Sequence, residues 1–276
     1  MVGAVVVAEK IAEYEHNGWF DRDIYEDPPT KPLKPRKLDL LHRKFRNKVK
    51  CYLAYRIGFK WLKQNIKSGQ FVLDGVEGLE NLEGFTGGAV VTCNHISVTD
   101  HFAILLALKK HFRDLRNNRM YKIIREGNYA QKGFVGRLMR HCDTLPVNEE
   151  ASRNLRVTIK TLQVVRQLLP RGKKILIYPE QALWPHYRKP RPMKSGAFVI
   201  ASKNLAPLIP CFITMRATDV DYAMHDGKVQ AYTVHIGRVI YPDALLSTKE
   251  NATNMQRENE KFWRETYERV YGEKLR

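Results

Sequence analysis

From residue 71 onward, short apolar runs alternate with segments of helical periodicity. The runs at 71–76, 89–93, 121–124, 144–147, 174–178, 206–212 and 230–236 have the length of strands and are bounded by turn-forming or charged residues. The segments at 99–112, 135–140, 151–169, 195–203 and 249–271 carry apolar residues every three to four positions, the spacing of a helix that buries one face. Strands separated by helices favour parallel neighbours. The pattern therefore predicts an α/β fold with a mostly parallel central sheet flanked by helices.

The chain before residue 71 reads differently. Residues 26–36, EDPPTKPLKPR, contain four prolines and predict an extended linker. Beyond it Leu38, Leu41, Phe45, Val49, Tyr52, Leu53, Ile57 and Trp61 recur at helical spacing, with Arg43, Lys44, Arg46, Lys48, Lys50 and Lys60 between them. Three parts result: an N-terminal extension and linker over 1–36, a basic amphipathic helical arm over 37–70, and a globular domain over 71–276. The arm's apolar stripe has two uses, packing on the domain or lying on an anionic membrane surface. Both hold if different sectors of the helix serve each.

Composition narrows this picture. With 43% hydrophobic and 28% charged residues the chain is globular and not disordered. Cys51, Cys93, Cys142 and Cys211 are far apart and lack C-x-x-C spacing, which argues against a zinc ribbon or a disulfide framework and suits a reducing cytosol. The net charge of +18 is unevenly placed: residues 1–30 hold two basic and seven acidic side chains, whereas 31–67 hold thirteen basic and one acidic. No apolar stretch approaches the roughly 20 residues that span a bilayer. The start, MVGAVVVAEK, lacks the basic residues and cleavage site of a signal peptide. A cytoplasmic protein, peripheral on the membrane, is the expectation. The sequon at Asn251 is read as chance, and Trp61, Trp184 and Trp263 as packing or interfacial residues.

The candidate chemistry begins at NHISVTD, residues 94–100, directly after the apolar run GGAVVTC. His95 and Asp100 lie five apart where a strand gives way to a helix. A histidine backed by a carboxylate is the usual device for drawing a proton off a hydroxyl. The same residues also fit a capping box, Ser97 with Asp100 three positions on. A second strand-end cluster, Tyr178-Pro179-Glu180, closes the run at 174–178. It leads into a proline-rich loop with Arg188, Lys189, Arg191 and Lys194, whose composition reads first as a solvated basic loop and also suits a phosphate grip. Cys93 is read as a small core residue.

These blocks resemble those of the glycerolipid acyltransferases, the group containing lysophosphatidic acid (1-acyl-sn-glycerol-3-phosphate) acyltransferase. NHISVTD is similar to the family's N-H-x-S-x-x-D block, YPEQALW to F-P-E-G-T-R, KSGAF to its lysine-glycine segment, and APLIPCFI to its V-P-[IV]-[IV]-P-[VI] strand. DTLPVNEE falls where the family has a short strand before an arginine. The blocks keep the family's order over roughly residues 72–240, making 71–276 the catalytic domain.

The resemblance implies transfer of a fatty acyl group from a thioester, on coenzyme A or acyl carrier protein, to a hydroxyl of a lysophospholipid acceptor. His95 would be the general base and Asp100 its orienter, with no covalent enzyme intermediate; the chain has no G-x-S-x-G elbow. Backbone N–H groups after Ser97 would stabilise the oxyanion. Asn94, Ser97, Glu180, Gln181, Arg188, Lys189, Arg191 and Lys194 are the expected substrate-binding residues. Neither a cofactor nor a metal is expected. Gln181 replaces the family's glycine, and apolar residues around Leu183 and Trp184 replace the arginine of that block. Asn148 and Glu149 follow the short strand where the other family arginine belongs. The acceptor's phosphate would then fall to the basic loop, or the acceptor would be a different glycerolipid. Two other classes stay open, a metal-dependent hydrolase using His95, Asp100 and His101, and a nucleic-acid-binding module built on the basic segment.

Overall fold

In a computed structural model of the chain, residues 4–25, 30–112, 115, 119–148, 155–223 and 227–275 are described. The first four residues of the predicted linker and of the helix predicted over 151–169 lie outside them, as does Glu149. Strands β1 (Val72–Glu77), β2 (Ala89–Thr92), β3 (Tyr121–Arg125), β4 (Thr144–Val147), β5 (Lys174–Ile177), β6 (Leu208–Asp221) and β7 (Lys228–Ile236) form one sheet. Its order is β1-β7-β6-β2-β5-β3-β4. Every neighbouring pair is parallel except β6 and β7. The helices are α1 (Ala4–His16), α2 (Phe45–Lys67), α3 (Asp100–Leu108), α4 (Glu126–Ala130), α5 (Gly133–Met139), α6 (Leu155–Leu168), α7 (Gly196–Lys203) and α8 (Thr248–Tyr271). The mostly parallel α/β fold is as the pattern predicts.

The central strands β2 and β5 are buried along their whole length. Alternate residues point to opposite faces, so Val91 and Leu176 join Ala103, Ile104 and Leu108 of α3 in one layer. Val90 and Ile175 join Val165, Phe198 and Trp263 of α6, α7 and α8 in the other. Entry into β2 needs a glycine: a Cβ on Gly88 would lie 2.0 Å from the Leu169 carbonyl oxygen.

Three parts of the chain depart from the sequence reading. β6 runs on to Asp221, because its polar end, Arg216 to Asp221, pairs antiparallel with β7 and has no apolar alternation to mark it. The arm helix begins at Phe45, not Leu38. Asp39 stops it earlier, its carboxylate accepting from the N–H groups of Arg43 and Lys44 at 2.9 and 3.1 Å, while His42 turns the chain with φ +50°. The described part of the linker is docked: Leu33 N donates to Glu126 Oε1 at 2.5 Å and Lys160 on α6 to the Pro35 carbonyl at 2.7 Å, while in the residues just after it Leu40 is buried and the Leu38 carbonyl also accepts from Lys160 at 2.7 Å.

Parallel pairing sets up the site. Thr92 lies opposite Ile177 of β5 and Pro210 of β6. The residues that leave β2 therefore emerge beside those that leave β5, at the carboxyl edge where ligands bind in such sheets.

Candidate active site

His95 and Asp100 come together as the motif predicts. His95 Nδ1 is 2.8 Å from Asp100 Oδ2, with Asp100 fully buried and His95 partly open. The same oxygen accepts the N–H groups of Ile96 and Ser97 at 3.1 and 3.2 Å. Burial pushes the Asp100 carboxyl up, but the His95 charge and hydrogen bond, with the Tyr178 hydroxyl, outweigh it and hold the group below its ordinary value. An ionised carboxylate accepts only, so Nδ1 carries the proton in this contact. Nε2 then holds the lone pair of the neutral ring and has no hydrogen-bond partner among the described residues. That is the arrangement of a general base.

Tyr178 completes the pair and is absent from the residues expected from sequence. Its hydroxyl donates to Asp100 Oδ1 at 2.5 Å, and its ring stacks on His95 with centroids 4.0 Å apart. Burial pushes the hydroxyl well above its ordinary pKa and keeps it a donor. The strand-end cluster was legible, but the reach to Asp100 follows from the parallel neighbours.

The expected binding residues divide. Asn94 is buried with its amide spent on Ile213 of β6, donating to the carbonyl at 3.0 Å and accepting from the N–H at 2.8 Å. It clasps two strand ends together. Ser97 Oγ contacts Thr99 Oγ1 at 2.9 Å and accepts from Thr99 N. The capping box is thus half formed, since Asp100 takes the Ser97 N–H but Ser97 serves Thr99. Of the backbone N–H groups around Ser97, those of Ile96 and Ser97 donate to Asp100, that of Thr99 to Ser97, and that of Asp100 to the Ser97 carbonyl.

Glu180 and Arg191 form a buried ion pair at 2.8 Å. Glu180 also accepts from the backbone N–H of His95 and of Arg191, both at 2.9 Å. Arg191 donates further to the Phe20 and Ala182 carbonyls. Both residues hold the two strand ends together and are closed to substrate. Gln181 is exposed at φ +64°, the left-handed conformation that the glycine in the similar family block adopts freely.

The cations of the basic loop already have partners. Lys189 pairs with Glu15 at 2.6 Å and Lys194 with Asp21 at 3.1 Å, while Arg188 lies over the Tyr271 ring. The partners come from the acidic N-terminal segment. Trp184 anchors that segment, fully buried and donating to the Arg22 carbonyl at 2.8 Å, and Asp23 pairs with Arg125 at the end of β3. The sequence shows both charged segments; their contact is a product of the fold.

Other sequence readings resolve here. Cys93 is buried, and desolvation pushes its thiol well above the ordinary value. His101 packs on Phe102 at 4.1 Å between rings, and burial lowers its pKa to about 3. The Asn251 amide is buried against Asp243, donating to its carbonyl at 2.6 Å. A cavity of about 340 Å³ opens beside the motif, lined by Ile96, Ser97, Val98, Leu183, Tyr222 and Tyr232 among others. The loop after β5 runs along it, Trp184 N donating to the His95 carbonyl at 3.1 Å and His186 N to that of Ile96 at 3.0 Å.

A family model described as acyltransferase matches residues 75–214, from β1 into β6 and just over half of the chain. The chain belongs to the acyltransferase family. No curated protein sequence matches this acyltransferase significantly. Its fold is similar to the crystal structure of the 1-acyl-sn-glycerophosphate (LPA) acyltransferase PlsC from Thermotoga maritima. The TM-score is 0.52 and the identity 17%, over 99% of this chain and 96% of that one. Among the described residues of this acyltransferase, no helix is long and apolar enough to cross a membrane.

Proposed function

We propose that this acyltransferase moves a fatty acyl group from coenzyme A or acyl carrier protein to a hydroxyl of a lysophospholipid, the expected acceptor being 1-acyl-sn-glycerol-3-phosphate. The observation that carries the reading is the His95–Asp100 pair, with Nδ1 held at 2.8 Å and Nε2 left to accept a proton. Nε2 takes the acceptor hydroxyl's proton as its oxygen attacks the thioester carbonyl. The tetrahedral intermediate collapses, the carbon–sulfur bond breaks, and the imidazolium returns the proton to the thiolate. Asp100 stabilises the imidazolium and fixes the ring. The cavity beside Ser97 and Val98 has room for part of an acyl chain.

The test is thiol release from acyl-coenzyme A in the presence of lysophosphatidic acid. His95→Ala is expected to lower the rate by about 10³ and Asp100→Asn by about 10². Unchanged rates in both would sink the mechanism.

A specific observation favours a second acceptor class. The cations Lys189 and Lys194 already face Glu15 and Asp21, so a glycerolipid without a phosphate monoester needs to displace no carboxylate. A panel of lysolipids with and without that phosphate separates the two by kcat/KM. The outward face of α2 would hold the enzyme on an anionic cytoplasmic membrane surface.

A further inference from the structure

A second cluster of chemistry-bearing side chains lies where α2 meets the turn before β4. His42 precedes α2, Cys51 sits on its second turn, and Asp143 leads into β4. A ring nitrogen, the thiol sulfur and a carboxylate oxygen of these residues lie within 4.8 Å of one another. All three residues are buried, at 5%, 2% and 0% exposure. His42 Nε2 stands 3.6 Å from Asp143 Oδ1, beyond a hydrogen bond, and neither His42 ring nitrogen has a hydrogen-bond partner among the described residues. Buried polar groups are almost always satisfied, so a buried histidine with two vacant ring nitrogens, one of them beside a thiol and a carboxylate, requires an explanation. The buried Nδ1 of His141 also has no hydrogen-bond partner among the described residues, and its ring centroid is 5.8 Å from that of His42.

We propose that His42, Cys51 and Asp143 bind one divalent transition-metal ion of the zinc class, which clamps α2 to the domain. Imidazole, thiolate and carboxylate are the ligand types zinc takes, at bonds of about 2.0–2.3 Å, which set tetrahedral ligand atoms roughly 3.3–3.8 Å apart. The observed His42 Nε2 to Asp143 Oδ1 separation of 3.6 Å already falls in that range. Asp143 has room for the ion: Oδ1 accepts one bond, from Arg119 Nη2 at 2.7 Å, while Oδ2 accepts from Arg119 Nε at 2.8 Å and from the Tyr55 hydroxyl at 2.9 Å. A carboxylate offers about four acceptor sites, so one on Oδ1 is unspent. Arg119 and Tyr55 would orient the ligand from the outer shell. Binding breaks the Cys51 S–H bond, the proton leaves to solvent, and a sulfur–metal bond forms; the site gains one unit of charge, not two. No local spacing announces the trio, because Asp143 lies far along the chain from His42 and Cys51.

The full-length chain, stripped by chelator and titrated under reducing conditions with Zn²⁺ or Co²⁺, provides the test. The expected result is about one ion per chain and, with Co²⁺, a near-ultraviolet thiolate-to-metal charge-transfer band. Cys51→Ser should abolish the band, and His42→Ala should weaken binding by about 100-fold. His95→Ala should keep both stoichiometry and band, which separates this site from the catalytic motif. A wild-type chain that takes up no ion at saturating metal, or a Cys51→Ser chain with an unchanged band, overturns the assignment. The wild-type titration decides even where a variant fails to fold.

Discussion

Four donors converge on Asp100: His95 Nδ1, the N–H groups of Ile96 and Ser97, and the Tyr178 hydroxyl. A hydrogen bond to a charged group contributes about 1.5–3 kcal/mol, so Tyr178→Phe, which keeps the stacked ring, is expected to lower kcat/KM by about tenfold. It should also move the acid limit of stability. Asp100 is held below its ordinary pKa when folded, so as pH falls the unfolded chain takes up this proton first. The stability it contributes is present above about pH 4 and is lost as pH falls through the lower folded value. Without the Tyr178 bond the folded value moves up toward the unfolded one, so Asp100 contributes less stability above about pH 4 and the acid loss is smaller and complete at a higher pH; urea midpoints between pH 6 and 3 would show it. At Gln181 the left-handed backbone costs an L-residue about 1–2 kcal/mol. Gln181→Gly should therefore raise the thermal midpoint; a lower one would contradict the strain. The His95–Asp100 pair was readable because both members lie in one seven-residue segment. Tyr178 was not, because sequence does not say which strands are neighbours.

At the scale of elements, α2 shows where periodicity misleads. Its apolar stripe was legible, but the sector that docks is marked by Cys51, Ala54 and Leu62. Two of these are small, which lets the helix lie close against the domain. The large residues face outward instead: Phe45 is 81% exposed, Tyr52 61% and Leu53 50%, interleaved with exposed Arg46, Lys48, Lys50, Arg56 and Lys60. A face of that composition suits a lipid surface better than open water. Burying a leucine or isoleucine contributes about 1.5–3 kcal/mol, so a Leu53→Asp, Ile57→Asp pair should weaken sedimentation with phosphatidylserine vesicles at least about tenfold. Vesicle binding that survives the pair, or binding to duplex DNA alone at matched salt, would remove α2 from this role. The strands were read more faithfully, since β2 and β5 are buried on both faces and show as unbroken apolar runs.

Over the whole molecule, charge is arranged by contact and not by sequence neighbourhood. The acidic N-terminal segment folds onto the loop after β5 and sets Glu15 and Asp21 against Lys189 and Lys194. These pairs are half-exposed, and such pairs contribute about 0.2–1 kcal/mol each. The double variant Glu15→Gln, Asp21→Asn is therefore expected to lower KM for a phosphate-bearing acceptor by about two- to fivefold and to leave KM for a phosphate-free one unchanged. Equal shifts for both acceptors would show that the carboxylates do not compete with phosphate. Composition showed the two charged stretches, but only the fold matches them, roughly 170 residues apart. The contact has an evolutionary corollary. On the proposed reading, the proton-transfer pair and the counter-charges around the neighbouring loop are written in separate stretches of chain, so drift in the leading residues would retune which headgroup is welcome while the reaction itself is inherited intact.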